Sequence, residues 1–222
     1  MSAYYGVAYR DRVELLTDGA IYADDGTIIE TREKVWRSDH LPMALACRGN
    51  SLAVAAVEMI LTASTVGRTV GEALEKFADH LVNRPRLREF AIDGVIASVS
   101  DDRAPQLHWF TTYNGFDGFE PFVLYDVGGE WAGGPTPSAD TLAKWGFPQR
   151  VATESLAECG ADLFEAFRAT KMAHLAHPDK PMLFAVGGHC DLTVVDAAGA
   201  RSCRLRTWPQ DVAGRKIEPG AG

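Results

Sequence analysis

The order in which strand-like and helix-like segments follow one another constrains this chain most. From Ala3 to Trp208 the pattern runs strands, two helices, strands, two helices, strands. Ala3–Tyr9 and Val13–Asp18 are rich in β-branched and aromatic residues, and the polar "RDR" between them reads as a turn. "TIIETREKVWRS" reads as a pair of short strands, and "MALACRG" as a buried strand ended by Gly49. Ser51–Ser64 is apolar on nearly all faces, which predicts a buried helix with Asn50 or Ser51 at its N-terminal cap. In "TVGEALEKFADHLVNR", Val70, Ala73, Leu74, Phe77, Ala78 and Leu81 recur at three- and four-residue spacing and predict an amphipathic helix. Strands return in "GVIASVSDD", "QLHWFTTYN" and "PFVLYDVGGEWAGG". Helices return in "SADTLAKWG" and "SLAECGADLFEAFRATKMAHLA", and "MLFAVGGHCDLTVVDAAGARSCRLRTW" supplies the last strands. Blocks of this kind are not the regular βα alternation of a Rossmann-like parallel sheet. They predict an α+β fold, a four-layer αββα sandwich with two antiparallel sheets between helix layers. No repeat or low-complexity linker divides the chain. Residues 1–208 read as one domain, and the polar, Gly/Pro-rich residues 209–222 as a flexible C-terminal tail.

Charge narrows the partners. The net charge is -8, and no long basic run offers a face to nucleic acid. "SLAVAAVEMILTA" contains a Glu and is too short to span a bilayer, and the first 20 residues lack the layout of a signal peptide. A cytoplasmic protein is expected, in which Cys47, Cys159, Cys190 and Cys203 are reduced thiols. A turn at Ala197–Ala200 would pair Asp196 with Arg201 and Cys190 with Thr207, leaving Cys190 and Cys203 out of register for a disulfide.

The candidate chemistry lies near the start of the chain. Met before Ser suits removal of the Met, which would leave Ser2 with its hydroxyl and α-amine on one residue. An α-amine has a pKa of roughly 7.7–8, so part of it is neutral at pH 7 and can take the hydroxyl proton. Lys34 would hold that amine's pKa down and stabilise a developing oxyanion, and Asp18 would pair with Lys34 and fix it in place.

Asp18 lies 16 residues after Ser2 and Lys34 lies 32 after it. With this spacing the chain resembles the proteasome β-subunit and HslV peptidases of the N-terminal-nucleophile hydrolase superfamily. "YYGVAYRDRVELLTDGAIY" is similar to that family's opening hairpin. "KVWRSDHLPMALACRGN" is similar to the segment that ends in a glycine, here Gly49, whose N–H serves the oxyanion. The resemblance extends over about residues 2–206 and implies the sandwich fold, a peptide or amide substrate and assembly into a homo-oligomer. It implies no cofactor and leaves any unfoldase ATPase partner unknown. The chain departs from the family at Leu183 and Val186, where an Asp and a Ser are expected before the paired Gly187 and Gly188. It departs again in "WAGGPTP", where Gly134 or Pro135 stands for a Ser. These departures favour a rival reading, a catalytically silent, oligomeric structural or assembly subunit.

His174 and His177 in "KMAHLAHPD" suggest a metal pair, with His189, Cys190 and Asp191 as further candidates. A helix end favouring cations accounts for them better, and no metal site is expected. The paired glycines in "GGEWAGG" and "VGGH" lack the GK[ST] ending of a phosphate loop and read as turns.

Overall fold

The computed structural model describes residues 3–175, 177 and 179–220. The chain opens with β1 (Tyr4–Ala8), β2 (Arg12–Asp18), β3 (Ala20–Tyr22), β4 (Ile28–Thr31), β5 (Val35–Arg37) and β6 (Met43–Gly49). Helices α1 (Ser51–Thr65) and α2 (Val70–Val82) follow, then β7 (Ile92–Val99), β8 (Pro105–Thr111), β9 (Tyr125–Gly128) and β10 (Glu130–Gly133). Next come α3 (Ala139–Ala143), α4 (Gln149–Thr153) and α5 (Leu156–Arg168). The last elements are β11 (Lys171–Met172), β12 (Leu183–Phe184), β13 (His189–Asp196) and β14 (Gly199–Thr207).

Two five-stranded antiparallel sheets dominate. One has the order β10-β1-β2-β13-β14 and the other β5-β6-β7-β8-β9. Period-two alternation builds three apolar layers from them. Val13 and Leu15 of β2 meet Ala44, Ala46, Val95, Ala97 and Trp109 between the sheets. Met43, Leu45 and Cys47 of β6 point the other way, onto Val57, Leu61, Leu74 and Phe77 of α1 and α2. Leu16 of β2 points to α5, against Leu156, Leu163 and Phe164.

The expected four-layer αββα sandwich is corrected to a mixed α/β fold of several antiparallel sheets with uneven helical cover. One sheet is covered by the α1–α2 pair, while the other carries a single long helix, α5. Gly146 and Pro148 interrupt the segment before α5, so it forms only the five-residue helices α3 and α4, neither of which buries a residue. Two further two-stranded sheets, β3–β4 and β11–β12, lie outside the main pair.

Other expectations change in detail. Asn50, not Ser51, caps α1, accepting from the N–H groups of Leu52 and Ala53. That helix is only half buried, because Leu52 and Met59 face outward, 77% and 73% exposed. "PFVLYDVGGEWAGG" yields two strands in different sheets: the chain leaves β9 at Gly128 and re-enters the opposite sheet as β10. A tighter turn pairs Asp196 with Gly199, so Cys190 faces Arg206 and Cys203 faces Leu192. All four cysteines are free thiols. The segment after Trp208 is docked where its composition predicts a flexible tail. Asp211 and Ile217 are buried, the Gly214 N–H donates to the Ile28 carbonyl, and the Ile28 N–H donates to the Arg215 carbonyl. Among the described residues no helix is long and apolar enough to cross a membrane.

Candidate active site

Asp18 ends β2 and is fully buried. Its Oδ1 accepts from the Ala3 N–H at 2.9 Å and from Lys34 Nζ at 3.1 Å. Its Oδ2 accepts from Lys34 Nζ at 3.1 Å, the Ala20 N–H at 3.2 Å and the Gly187 N–H at 3.3 Å. Three backbone donors and one ammonium thus converge on one carboxylate, the arrangement that makes a buried negative charge tolerable.

Lys34 reaches Asp18 from just before β5, with its side chain 7% exposed, and also donates to the Ala20 carbonyl. Burial draws its pKa below the ordinary lysine value, and the charge of Asp18 opposes that shift. Ser2 falls outside the described residues. Its covalent neighbour Ala3 is fully buried, and the N–H of that residue is the one held by Asp18.

Gly49 ends β6 at φ 124, a conformation L side chains rarely adopt, and a Cβ there would lie 2.3 Å from the Ala91 carbonyl oxygen. It shares with Lys34 a cleft of about 900 Å³, whose lining also includes Trp36, Cys47, Val54 and Glu58. The structure therefore joins Asp18 to Lys34 directly and brings Lys34 and Gly49 to one cleft.

The positions of the missing Asp and Ser are apolar here. Val186 is buried in the α5-side core, and Leu183 lies in β12. Support for this turn comes instead from Asp211 and Arg168. Arg168 Nη1 and Nη2 donate to Asp211 at 2.5 and 2.8 Å, and Nη1 also donates to the Val186 carbonyl at 2.9 Å. Asp211 Oδ2 accepts from the Gly188 N–H at 2.8 Å. A Cβ on Gly187 would lie 2.7 Å from that same Oδ2, so the approach depends on glycine. Arg168 and Asp211 thus hold Gly188 while Gly187 donates to Asp18. Sequence reasoning missed both residues, and its one available signal was the glycine pair itself.

His174 Nε2 and His177 Nε2 lie 3.4 and 3.6 Å from the Asp24 carboxylate, which also pairs with Lys180 at 2.9 Å. His189 and Asp191 belong to a separate pairing, in β13, with Arg204. Among the described residues no group of three or more His, Cys, Asp and Glu side chains is arranged to hold a metal ion.

Neither a family model nor a curated protein matches the chain. Its structure is similar to that of the Gly-1 mutant of Anbu from Hyphomicrobium sp. strain MC1, with TM-score 0.63 and 13% identity over 93% of this chain and 88% of that one. At that identity the likeness establishes a fold, and the fold is proteasome-like. It corrects the expected membership of the proteasome β-subunit and HslV peptidases: the likeness found is to Anbu, and it is one of architecture rather than of family.

Proposed function

We propose that this protein hydrolyses an amide bond with Ser2 as an N-terminal nucleophile. The observation that carries this reading is the Asp18 carboxylate, which binds the N–H of Ala3, next to Ser2 in the chain, and the ammonium of Lys34 at the cleft. Once Met1 is removed, the α-amine of Ser2 takes the hydroxyl proton and Oγ attacks the substrate carbonyl. The Gly49 N–H stabilises the oxyanion, and the Lys34 ammonium keeps the amine's pKa low. Collapse of the tetrahedral species breaks the C–N bond, with the amine's proton passing to the leaving group. Water, deprotonated by the same α-amine, then cleaves the ester to free acid and Ser2. Asp18 does not exchange protons; it holds Lys34 and the chain start in place.

The same reading carries assembly into a homo-oligomer. Its support is the outward apolar face of α1, where Leu52 and Met59 lie exposed, with Val66 just beyond the helix end. Native mass spectrometry measures it directly.

Intact mass and N-terminal sequencing test the mechanism first. A chain lacking Met1 is expected, with one equivalent of a β-lactone probe esterified at Ser2. Loss of labelling is expected in Ser2→Ala, and a decrease of at least tenfold in labelling rate in Lys34→Ala. Quantitative retention of Met1, which blocks the amine as an amide, would overturn the free-amine mechanism.

A further inference from the structure

Among the described residues a few buried side-chain atoms make no hydrogen bond, and of these the Tyr22 hydroxyl alone lines the cleft that holds Lys34 and Gly49. A buried polar atom without a partner costs stability, which raises the question of what it is kept for. The Tyr22 ring belongs to an apolar cluster with Ala20, Ile28, Ala185 and Ile217. Two of these neighbours lead to Asp18. The Ala20 N–H binds Asp18 Oδ2, and so does the N–H of Gly187, two residues after Ala185. Asp18 acts on the Tyr22 hydroxyl through its charge, and so does Arg48, which precedes Gly49. Thr17 Oγ1 is also buried and unpartnered, but it has a different outlook. Thr17 lies across from Tyr4 and Asp191 and faces between the sheets, whereas the next residue, Asp18, faces the other way.

The other acceptors around Asp18 are occupied. Asp18 itself takes five contacts, two of them from Lys34, on oxygens that offer about four lone pairs. The Ala20 carbonyl accepts from Lys34, and the Gly187 carbonyl accepts from the N–H groups of Gly19, Ala20 and His189. Removal of Met1 would add a donor to this neighbourhood. It would free the α-amine of Ser2, the residue before Ala3, whose N–H Asp18 holds at 2.9 Å. Of the groups on the page, the Tyr22 hydroxyl has lone pairs to spare. Burial, and then the charge of Asp18, hold its pKa well above the ordinary phenol value, with Arg48 acting in the other direction. It therefore stays a neutral phenol, which can accept a hydrogen bond but does not compete with the amine as a base.

We infer that the Tyr22 hydroxyl accepts a hydrogen bond from the α-amine of Ser2 and so fixes its direction, with the lone pair turned toward the Oγ proton. An amine turns freely about its bond to Cα, and a base works only where its lone pair reaches the proton it takes. One N–H held by a phenol on a ring packed among Ala20, Ile28 and Ala185 removes that freedom. Tyr22 is thus a positioning residue, acting through the amine. This use of the contact rests on the hydrolase reading. The contact itself does not, since the amine is present wherever Ser2 begins the chain. An acceptor favours the ammonium over the neutral amine, so its loss should lower the amine's pKa.

The test compares the wild-type chain with Tyr22→Phe, each released from a cleavable leader so that Ser2 comes first whatever becomes of Met1 in the cell. Tyr22→Phe removes one oxygen and keeps the packed ring, and circular dichroism checks that it is folded. Competitive acetylation with trace acetic anhydride, read from the mass of the N-terminal peptide at a series of pH values, gives the amine pKa without any turnover. The rate of β-lactone labelling at Ser2, taken on its alkaline plateau where the amine is neutral, reports the nucleophile. Tyr22→Phe is expected to lower the amine pKa by about half a unit or more and the labelling rate at least tenfold. An unchanged pKa overturns the contact, and leaves the hydrolase standing if the wild type is labelled. A lowered pKa with an unchanged labelling rate overturns the positioning role. If the wild type is not labelled, the hydrolase reading falls, and the amine pKa alone decides the contact.

Discussion

Asp18 and Lys34 hold opposite charges where water has almost no access, with side chains 0% and 7% exposed. Breaking a buried pair by removing one partner typically costs about 3–5 kcal/mol, because the remaining charge keeps its desolvation penalty without its attraction. Asp18→Ala is therefore expected to destabilise the fold by about that amount, as read from the urea midpoint at constant slope. Lys34→Met combined with Asp18→Leu should recover only the part of the loss that comes from the unpaired charge, because the Ala3 and Gly187 N–H groups still lose their acceptor. A single variant within about 0.5 kcal/mol of wild type, the margin ordinary for surface changes, would contradict the pairing. The pair also has a pH signature. Burial lowers the Lys34 pKa in the fold, with Asp18 opposing, so the unfolded chain binds more protons between that value and the ordinary 10.5. Stability contributed at this position should rise with pH through that window, and the slope should vanish in Lys34→Met.

The C-terminal segment beyond β14 shows what one element can do for another. Asp211 and Arg168, with side chains each 1% exposed, fasten the Gly187–Gly188 turn beneath Asp18. Asp211→Ala should cost about 3–5 kcal/mol by the same argument, and should reduce turnover beyond what stability explains. The check is kcat against KM at a temperature where the variant is fully folded. A fall in kcat of at least tenfold with KM unchanged marks a lost positioning contact, and wild-type kcat would show that Asp211 serves stability alone. This contact also marks the limit of what the sequence discloses. Asp18 and Lys34 are legible because they flank one short β3–β4 excursion, so local pattern brings them near each other. Asp211 lies 43 residues from Arg168 in a stretch whose glycines and prolines suggest a loose tail. No periodicity or spacing links the two. The same holds for "VGGEW": its apolar pattern predicts strand, but it is the left-handed Gly128, φ 75, at the junction of β9 and β10 that accompanies the crossing between sheets.

Across the whole molecule, the two large sheets are joined by more than apolar contact. Asp93 of β7 is fully buried and accepts from Arg48 of β6 at 2.9 and 2.6 Å. It also accepts from the hydroxyls of Tyr4 at 2.5 Å and Tyr113 at 3.0 Å. Tyr4 belongs to β1, in the opposite sheet, and its hydroxyl in turn accepts from Trp109 Nε1 at 3.0 Å. The Tyr4 hydroxyl makes both of its bonds, to Asp93 and from Trp109, only while the sheets face each other, so it ties the register of one sheet to the other. Tyr4→Phe removes two buried hydrogen bonds, the one to the charged Asp93 worth about 1.5–3 kcal/mol and the one from Trp109 Nε1. Asp93→Ala strands the Arg48 guanidinium as well and should cost more. The distinguishing measurement is amide hydrogen exchange. Because Tyr4 and Asp93 sit in different sheets, Asp93→Ala should lower protection in β1 and β2 along with β6 and β7, as one cooperative unit. Loss of protection confined to β6–β8 would mean that the apolar layer of Leu15, Val95 and Trp109 holds the sheets together by itself. Joint loss would instead make this polar cluster the contact that couples β1, which follows directly on Ala3, to the sheet that carries Gly49.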